Sequence, residues 1–454
     1  MQKLERAIVI GGSMGGLLAA RVLADHYKKV TVLERDEFPP IGAQRRGVPQ
    51  GRHTHGLLAS GRDVIERLFS GISDELVAAG AVAGDIAEDS RWFTEGGCLV
   101  RFKSGLGALL LTRPLLEGVV RRRLFSLPNI DARQNFHVEQ VETVVVTEDR
   151  RHVTGVQGAG TELPADLVVD TTGRGSRAPQ WLEAIGYPKP VEERVQVDLA
   201  YTTRFFRRDR GHLNGDSAVI IPPTPKGKRG GVMLAQEGDR WTVTLIGHFG
   251  QAAPLDLDGF VEYARTLPAP YIYEVVRASE PVSEPVSARF PASVRHRYER
   301  LTRFPEGLLV FGDAISSFNP IYGQGMSVAA LEAMELAAAL REGSRDLARR
   351  FFRRAAKVVD MPWTISVGND LRMPETLGPR HAGVKLVNWY MTKLHKAAHS
   401  DRVAAMAFFR VANLLAPPPS VMRPMVMLSV LRGNLTRQAG RSQAGASHRI
   451  AAGG

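Results

Sequence analysis

Residues 7–35 read AIVIGGSMGGLLAARVLADHYKKVTVLER, and the order of physical signals along this stretch decides the fold. Ala7 to Ile10 is a short apolar run of the kind a parallel sheet buries on both faces. It meets Gly11-Gly12-Ser13-Met14-Gly15-Gly16 with no polar linker between. The turn predicted there is tight. Gly11 permits the reversal, Ser13 is small enough for a pyrophosphate to approach the backbone, and Gly16 lets the following helix pack close to the strand. The free N–H groups at the start of that helix suit an anion, while Leu17, Leu18, Val22 and Leu23 supply an apolar face for the sheet. A second apolar run, Val30 to Leu33, ends at Glu34, 18 residues beyond Gly16, where a carboxylate accepts hydrogen bonds from an adenosine ribose. Arg35 follows it. The unit predicts a dinucleotide site and serves FAD and NAD equally well. Ser13 replaces the usual middle glycine, giving up backbone freedom but bringing a hydroxyl to the phosphate.

Working outward, 454 residues suffice for two or three domains, and 44% hydrophobic with 23% charged content is that of a globular chain. The single cysteine, Cys98, excludes an internal disulfide and suits a reducing, cytoplasmic setting. The first strand begins within six residues of Met1, which leaves no room for a secretory leader in this sequence. Residues 403–431 are the most apolar late stretch, but Arg410, Pro417-Pro418-Pro419, Arg423 and Pro424 interrupt it. It does not offer the roughly 20 apolar residues a bilayer span requires. No transmembrane helix is expected, and a peripheral membrane contact stays open. The net charge of +12 comes largely from arginine, in Arg121-Arg122-Arg123, RFFRRDR at 204–210 and RRFFRR at 349–354. Such clusters attract NADPH, anionic lipid or nucleic acid, but a solvated basic face is the simpler reading. No nucleic-acid motif accompanies the charge, so nucleic acid is not an expected partner.

The polar loop 35–56 is long enough to line a site, and Arg45, Arg46 and Arg52 are candidates for phosphate or flavin oxygens. His53 and His55 alternate as metal ligands on a strand do, but no further ligand has metal spacing, so no metal is expected. A helix is predicted at 61–69 and a strand at 91–102. Another helix starts at Thr112, a cap, with Pro114 in its first turn and Arg113 at its mouth. Residues 136–169 read as three strands with turns at Glu148-Asp149 and at 158–160. The last strand leads into DTTGRGSR at 170–177, a carboxylate and glycines at a strand's carboxyl end. Residues 196–248 change to strand-like runs broken by turn-rich segments, a separate antiparallel sheet. GLLVF at 307–311 then returns to the first sheet. It is followed by Gly312-Asp313, by FNPIYGQG at 318–325 and by a long apolar helix from Met326 to Leu340. This repeats the opening logic: strand, carboxylate, glycine turn, helix start. From residue 344 the chain reads as helical. Val384, Val387, Met391 and Leu394 recur at helical spacing and are read as core packing before a membrane role.

Three separated stretches agree: GGSMGG with Glu34, DTTGRGSR, and GDAISSFNPIYGQG at 312–325. Together they resemble the flavoprotein monooxygenases of the para-hydroxybenzoate hydroxylase fold, over the first 340 residues. The resemblance implies an α/β fold with a Rossmann-like FAD-binding domain in two parts, 1–190 and 281–345. An antiparallel-sheet substrate domain at 191–280 is inserted, with a C-terminal helical region at 346–435 and a disordered tail at 436–454. RRGVPQGRHTHGLL at 45–58, FNPIYGQGMSVAALEA at 318–333 and MPWTISVGNDLRMPET at 361–376 are also similar to the branch that includes the bacterial polyether epoxidases of the lasalocid and monensin type.

Carried onto this sequence, the resemblance implies Gly11, Ser13 and Gly16 at the FAD pyrophosphate and Glu34 at the adenosine ribose, with Arg35 also a cofactor-binding residue. It puts Arg113 at the phosphates or ribityl chain and Asp313 on the ribityl chain. Pro320, Gly323 and Gly325 then lie beside the isoalloxazine ring, with Asn319 and Tyr322 as candidate catalytic donors. The implied activity is NAD(P)H-dependent insertion of one oxygen atom of O2 into an apolar substrate through a flavin hydroperoxide, by epoxidation or hydroxylation. The paired-tryptophan halogenase signature is absent, so halogenation is not expected. The alternatives are an FAD-dependent reductase or dehydrogenase acting on an isoprenoid double bond, a non-redox cyclase, and a flavin-free nucleotide scaffold. No base for deprotonating a phenol is assigned.

Overall fold

The strand Leu4–Ile10 occupies the middle of a five-stranded sheet because its last four residues are buried on both faces. In a computed structural model describing residues 3–147, 150–380 and 383–435, that sheet runs in the order Leu308–Val310, Leu167–Asp170, Leu4–Ile10, Tyr27–Leu33 and Ile130–Arg133. Every pairing is parallel. The register aligns the carboxyl ends: Ile10 pairs with both Leu33 and Asp170, and Asp170 with Val310. Helix Met14–Ala24 buries Leu17 and Leu18 completely and packs beside helix Gly325–Arg341. The long helix Leu347–Asp370 lies against the latter, with Phe351 stacked on Phe311 at 5.9 Å between ring centroids.

The second sheet has eight strands: Ser316–Ser317, Val286–His296, Glu192–Arg207, Arg240–His248, Arg229–Gln236, Ala218–Ile221, Ser90–Thr94 and Gly97–Cys98. All pairs are antiparallel except Ala218–Ile221 against Ser90–Thr94. This corrects the expectation of a sheet confined to 196–248, since strands from both flanking segments enter it. A boundary at 281 falls ahead of Val286–His296, which pairs along most of Glu192–Arg207. The strand expected through 91–102 turns back at Glu95 and Gly96, both at positive φ, and ends at Cys98. Between 136 and 170 there are four strands, of which Val138–Thr147, Arg150–Gly158 and Thr161–Pro164 form their own sheet. The turn expected at Glu148-Asp149 and the tail 436–454 lie outside the described residues.

Helices Gly383–Ala397 and Arg402–Ala412, followed by helical residues 424–435, close over the second sheet. Leu394 and Phe409 join Leu99 in a separate apolar cluster, and Trp92 meets Phe408 and Phe409 edge-on. Of the predicted stripe only Leu394 is fully buried, while Val387 is 45% exposed. The arginine clusters pair with surface acids: Arg123 with Glu75, Arg207 with Glu280, and Arg354 with Glu335. Phe351 and Phe352 turn into the core.

Candidate cofactor and substrate site

The carboxyl ends of the parallel sheet open into a cavity of about 1310 Å³, the position at which open α/β sheets bind ligands. Gly11, Ser13, Glu34, Arg35, Arg113, Asp313, Asn319, Pro320, Tyr322, Gly323 and Gly325 all line it. Gly16 does not. A Cβ built there would lie 1.8 Å from the Gly11 carbonyl oxygen and 2.7 Å from Thr171 Oγ1. Its lack of a side chain serves the close packing of the helix on the turn that the sequence predicts.

At the opening turn Leu17 makes the first helical bond, its N–H donating to the Ser13 carbonyl at 2.9 Å. The amides of the first turn precede it and face the dipole's positive end. Ser13 does not cap this helix through its side chain. Its hydroxyl donates to Glu117 Oε2 at 3.1 Å and accepts from Arg113 Nη2 at 2.8 Å. Glu34 is only 6% exposed. Its Oε2 accepts from the Gly12 amide at 2.7 Å and from Arg45 Nη1 at 2.6 Å, and its Oε1 from the Asp36 amide at 3.2 Å. Arg45 also faces Glu117 at 3.3 Å. The expected ribose acceptor is thus one corner of a buried network of alternating charge, with lone-pair capacity left on Oε1. Arg35 stands at the rim, its side chain 65% exposed. Of the three arginines Arg45, Arg46 and Arg52, Arg45 lines the cavity, while Arg46 and Arg52 are exposed and do not.

The loop histidines are hydrogen-bonding residues. His55 Nδ1 lies 3.0 Å from the His53 carbonyl, which makes that nitrogen the donor and leaves Nε2 to face Arg113 Nη1 at 3.4 Å. Burial, with Arg113 beside it, pushes the His55 pKa down to about 3. His53 Nδ1 meets Thr203 Oγ1 at 2.8 Å, and burial pushes its pKa down to about 4. Both rings are neutral at physiological pH. Asp170 does not line the cavity. It is fully buried and accepts from the Thr172 and Ser176 hydroxyls, each at 2.6 Å, so it orders the DTTGRGS turn.

Asp313 is open to the cavity yet deep in the molecule. That depth raises its carboxyl pKa, with Arg113 and Arg174 working the other way. Glu332 lies beneath it, fully buried, and accepts from the Gly312 amide at 2.7 Å; burial pushes its pKa up to about 8. Gly323 takes a positive φ of 65° and rests against Gly56. Asn319 caps its own turn, with Oδ1 accepting from the Ile321 amide at 3.2 Å. Its amide nitrogen donates to Asp370 Oδ1 at 2.9 Å, and Tyr322 Oη donates to the same oxygen at 2.8 Å. The two catalytic candidates are therefore tied to a third residue that the sequence did not single out. Asp370 is 2% exposed, and its Oδ2 has no partner among the described residues.

Beyond this turn the cavity wall is mainly apolar and comes from the C-terminal helices, including Ile365, Met391, Phe408 and Val421. His395 lines it, 7% exposed and edge-on to Phe408 at 4.8 Å. Neither ring nitrogen has a hydrogen-bond partner among the described residues, and burial pushes its pKa down to about 4. Helical periodicity marked this region as packed without showing that it walls a ligand chamber.

No family model matches the chain. It is 34% identical over 442 residues to protein Rv3254 of Mycobacterium tuberculosis, an alignment covering 90% of each chain. The chain belongs to the Rv3254 family. Solved structures extend this family's likeness in fold. PqsL, a probable FAD-dependent monooxygenase from Pseudomonas aeruginosa, is 17% identical with a TM-score of 0.60 over 82% of this chain and 98% of its own. A flavoprotein/dehydrogenase from Cytophaga hutchinsonii is 13% identical with a TM-score of 0.65 over 97% and 100%. The p-nitrophenol 4-monooxygenase PnpA from Pseudomonas putida is 19% identical with a TM-score of 0.61 over 91% and 99%. The Rv3254-family chain thus shares the α/β fold of these three proteins, with its parallel sheet, antiparallel sheet and C-terminal helices.

Proposed function

We propose that this chain is an FAD-dependent monooxygenase that takes electrons from NADH or NADPH and places one oxygen atom of O2 on an apolar organic substrate. The observation that carries the reading is a single cavity that joins a nucleotide cradle to an apolar chamber. Arg113 reaches from Ser13 to His55, Gly56 rests on Gly323, and Gly325 adjoins Asp313, so the contacts run without a break from the opening turn to Asn319 and Tyr322. These residues fit FAD. The first-turn amides and Arg113 would hold the pyrophosphate, Glu34 the ribose, and Asp313 a ribityl hydroxyl, with the start of helix Gly325–Arg341 favouring negative charge at the ring.

Bound flavin supplies oxygen activation. The chain's own residues bind, orient and exclude water. Asp370 holds Tyr322 and Asn319 in place at the cavity wall, and the apolar helices keep the chamber dry. The segments 45–58, 318–333 and 361–376, which are similar to polyether epoxidases, all contribute to this cavity. Epoxidation therefore stands beside hydroxylation as one outcome within the proposal.

The test begins with flavin extracted from the purified protein, followed by anaerobic bleaching with NADPH. Olefins and phenols are then screened under ¹⁸O2. Label in an epoxide or hydroxyl product is the expected result. Protein that takes up no flavin overturns the reading, and stoichiometric NADPH oxidation giving an unlabelled, reduced product replaces it with a reductase.

A further inference from the structure

The described C-terminal helices carry an outward apolar face that the site does not use. Leu386 and Trp389 on helix Gly383–Ala397 are 66% and 59% exposed, and Met425, Leu431 and Leu435 on residues 424–435 are 70%, 61% and 64% exposed. The two helices lie side by side. Tyr390 Oη donates to the Val421 carbonyl at 2.6 Å, Asn434 Nδ2 to the Lys393 carbonyl at 3.0 Å, and Gly433 abuts Ala397. Contiguous exposed apolar area of this kind marks an interaction surface.

Two features identify its occupant. The first is charge. GVKLVNWYMTKLHKA at 383–397 and RPMVMLSVLRGNL at 423–435 contain lysines and arginines and no acidic residue, and Lys385 and Arg423 are exposed beside the apolar side chains. Basic residues around an apolar face that carries a tryptophan suit the headgroup region of an anionic bilayer. The second is continuity with the cavity. Val387 and Met422 line the cavity wall directly beside Leu386 and Arg423 of the outer face, so the same two segments serve both. Among the described residues no helix is long and apolar enough to cross a membrane. The remaining sequence, 436–454, offers Ile450 as its one large apolar residue and is chemically unsuited to cover such a face.

We infer that helices 383–397 and 424–435 form a membrane-docking surface for anionic lipid, with the cavity opening onto it. An apolar compound dissolved in the bilayer would then enter the chamber without crossing water. The surface claim is independent of the redox chemistry, and its test needs neither turnover nor substrate.

The experiment is co-sedimentation of the full chain with vesicles of phosphatidylcholine alone or mixed with an equal part of phosphatidylglycerol, at low and high salt. Binding is expected to the mixed vesicles and to weaken with salt. Lys385→Glu with Arg423→Glu should lower the partition coefficient at least about tenfold, since each basic residue near an anionic surface contributes about fivefold. Leu386→Ser with Trp389→Ser and Leu431→Ser should abolish binding to the mixed vesicles. Circular dichroism confirms that the variants fold. No binding to mixed vesicles at low salt overturns the inference. So does light scattering that shows a stable dimer of the parent chain broken by the three serine substitutions, because the face would then be covered by a second copy.

Discussion

Asp370 ends the long helix Leu347–Asp370, 2% exposed, with Tyr322 and Asn319 both donating to one of its oxygens. Burial, the largest influence, pushes its carboxyl up to about 7, and the two hydrogen bonds pull the other way. The folded chain therefore keeps a proton that an unfolded aspartic acid releases near about 4. The stabilisation this gives is complete at acid pH and is lost as pH rises from about 4 through about 7. Asn at this position keeps an acceptor for Tyr322 and has no proton to lose. Relative to the parent, Asp370→Asn should therefore gain melting temperature as the buffer moves from about pH 5 to about pH 8. The underlying change over that interval is about 2.5 kcal/mol, since roughly two pH units of the titration lie above about pH 5. Glu332, raised to about 8, titrates in both proteins and cancels in the difference. Calorimetry at the two pH values checks this, and a pH-independent difference would refute it. Asn319 and Tyr322 came into view through the family resemblance carried by FNPIYGQG. Nothing local in MPWTISVGND distinguishes Asp370, which acquires its role only when residues 48 and 51 positions apart meet.

Among the elements, the opening turn was the most legible. Its constraints are backbone constraints, and those are written directly in residue type. Gly16→Ala should cost about 3 kcal/mol or more, because the new Cβ would collide with the Gly11 carbonyl, rigid backbone that cannot yield. Chemical denaturation reads the loss, and an unchanged midpoint would show that the turn has slack. The helix at Arg113–Phe125 was legible for a similar reason, since Thr112 does accept from the Leu115 amide. The role of the preceding loop was only half legible. Three arginines looked alike in sequence, yet burial selects Arg45, whose side chain is 6% exposed and joins Glu34 to Glu117. Arg45→Ala should destabilise the fold by about 3–5 kcal/mol, because two buried carboxylates lose their partner. Arg46→Ala and Arg52→Ala, at exposed positions, should stay within about 0.5 kcal/mol. Equal losses for all three would contradict the buried network.

For the molecule as a whole, the α/β class and the return of the chain to its first sheet at residue 307 could be read from strand-turn-helix units. The make-up of the second sheet could not. Ser90–Thr94 pairs with Ala218–Ile221 and Val286–His296 with Glu192–Arg207, partners far off in sequence, and alternation within a strand does not name its neighbour. The walling of the cavity by the last helices was hidden for the same reason. A cavity of about 1310 Å³ that is filled only in the folded state links ligand to stability. Added FAD at a hundredfold excess over its dissociation constant should stabilise the flavin-free chain by about 2.7 kcal/mol. Scanning calorimetry would show this as a rising melting temperature, and a melting temperature indifferent to FAD would count against the cradle.

The order of strands in the parallel sheet also sets a schedule for synthesis. Leu4–Ile10 finds Tyr27–Leu33 at once, but its other neighbour, Leu167–Asp170, emerges much later, and that strand's outer edge stays open until Leu308–Val310 is made. The last wall of the cavity follows only with residues up to 422. A nascent chain thus spends most of its translation with an unfinished sheet and an unpaired edge, the condition in which chaperones are engaged. The nucleotide cradle is complete once residue 325 is made, whereas the apolar chamber is walled only when the ribosome has nearly finished.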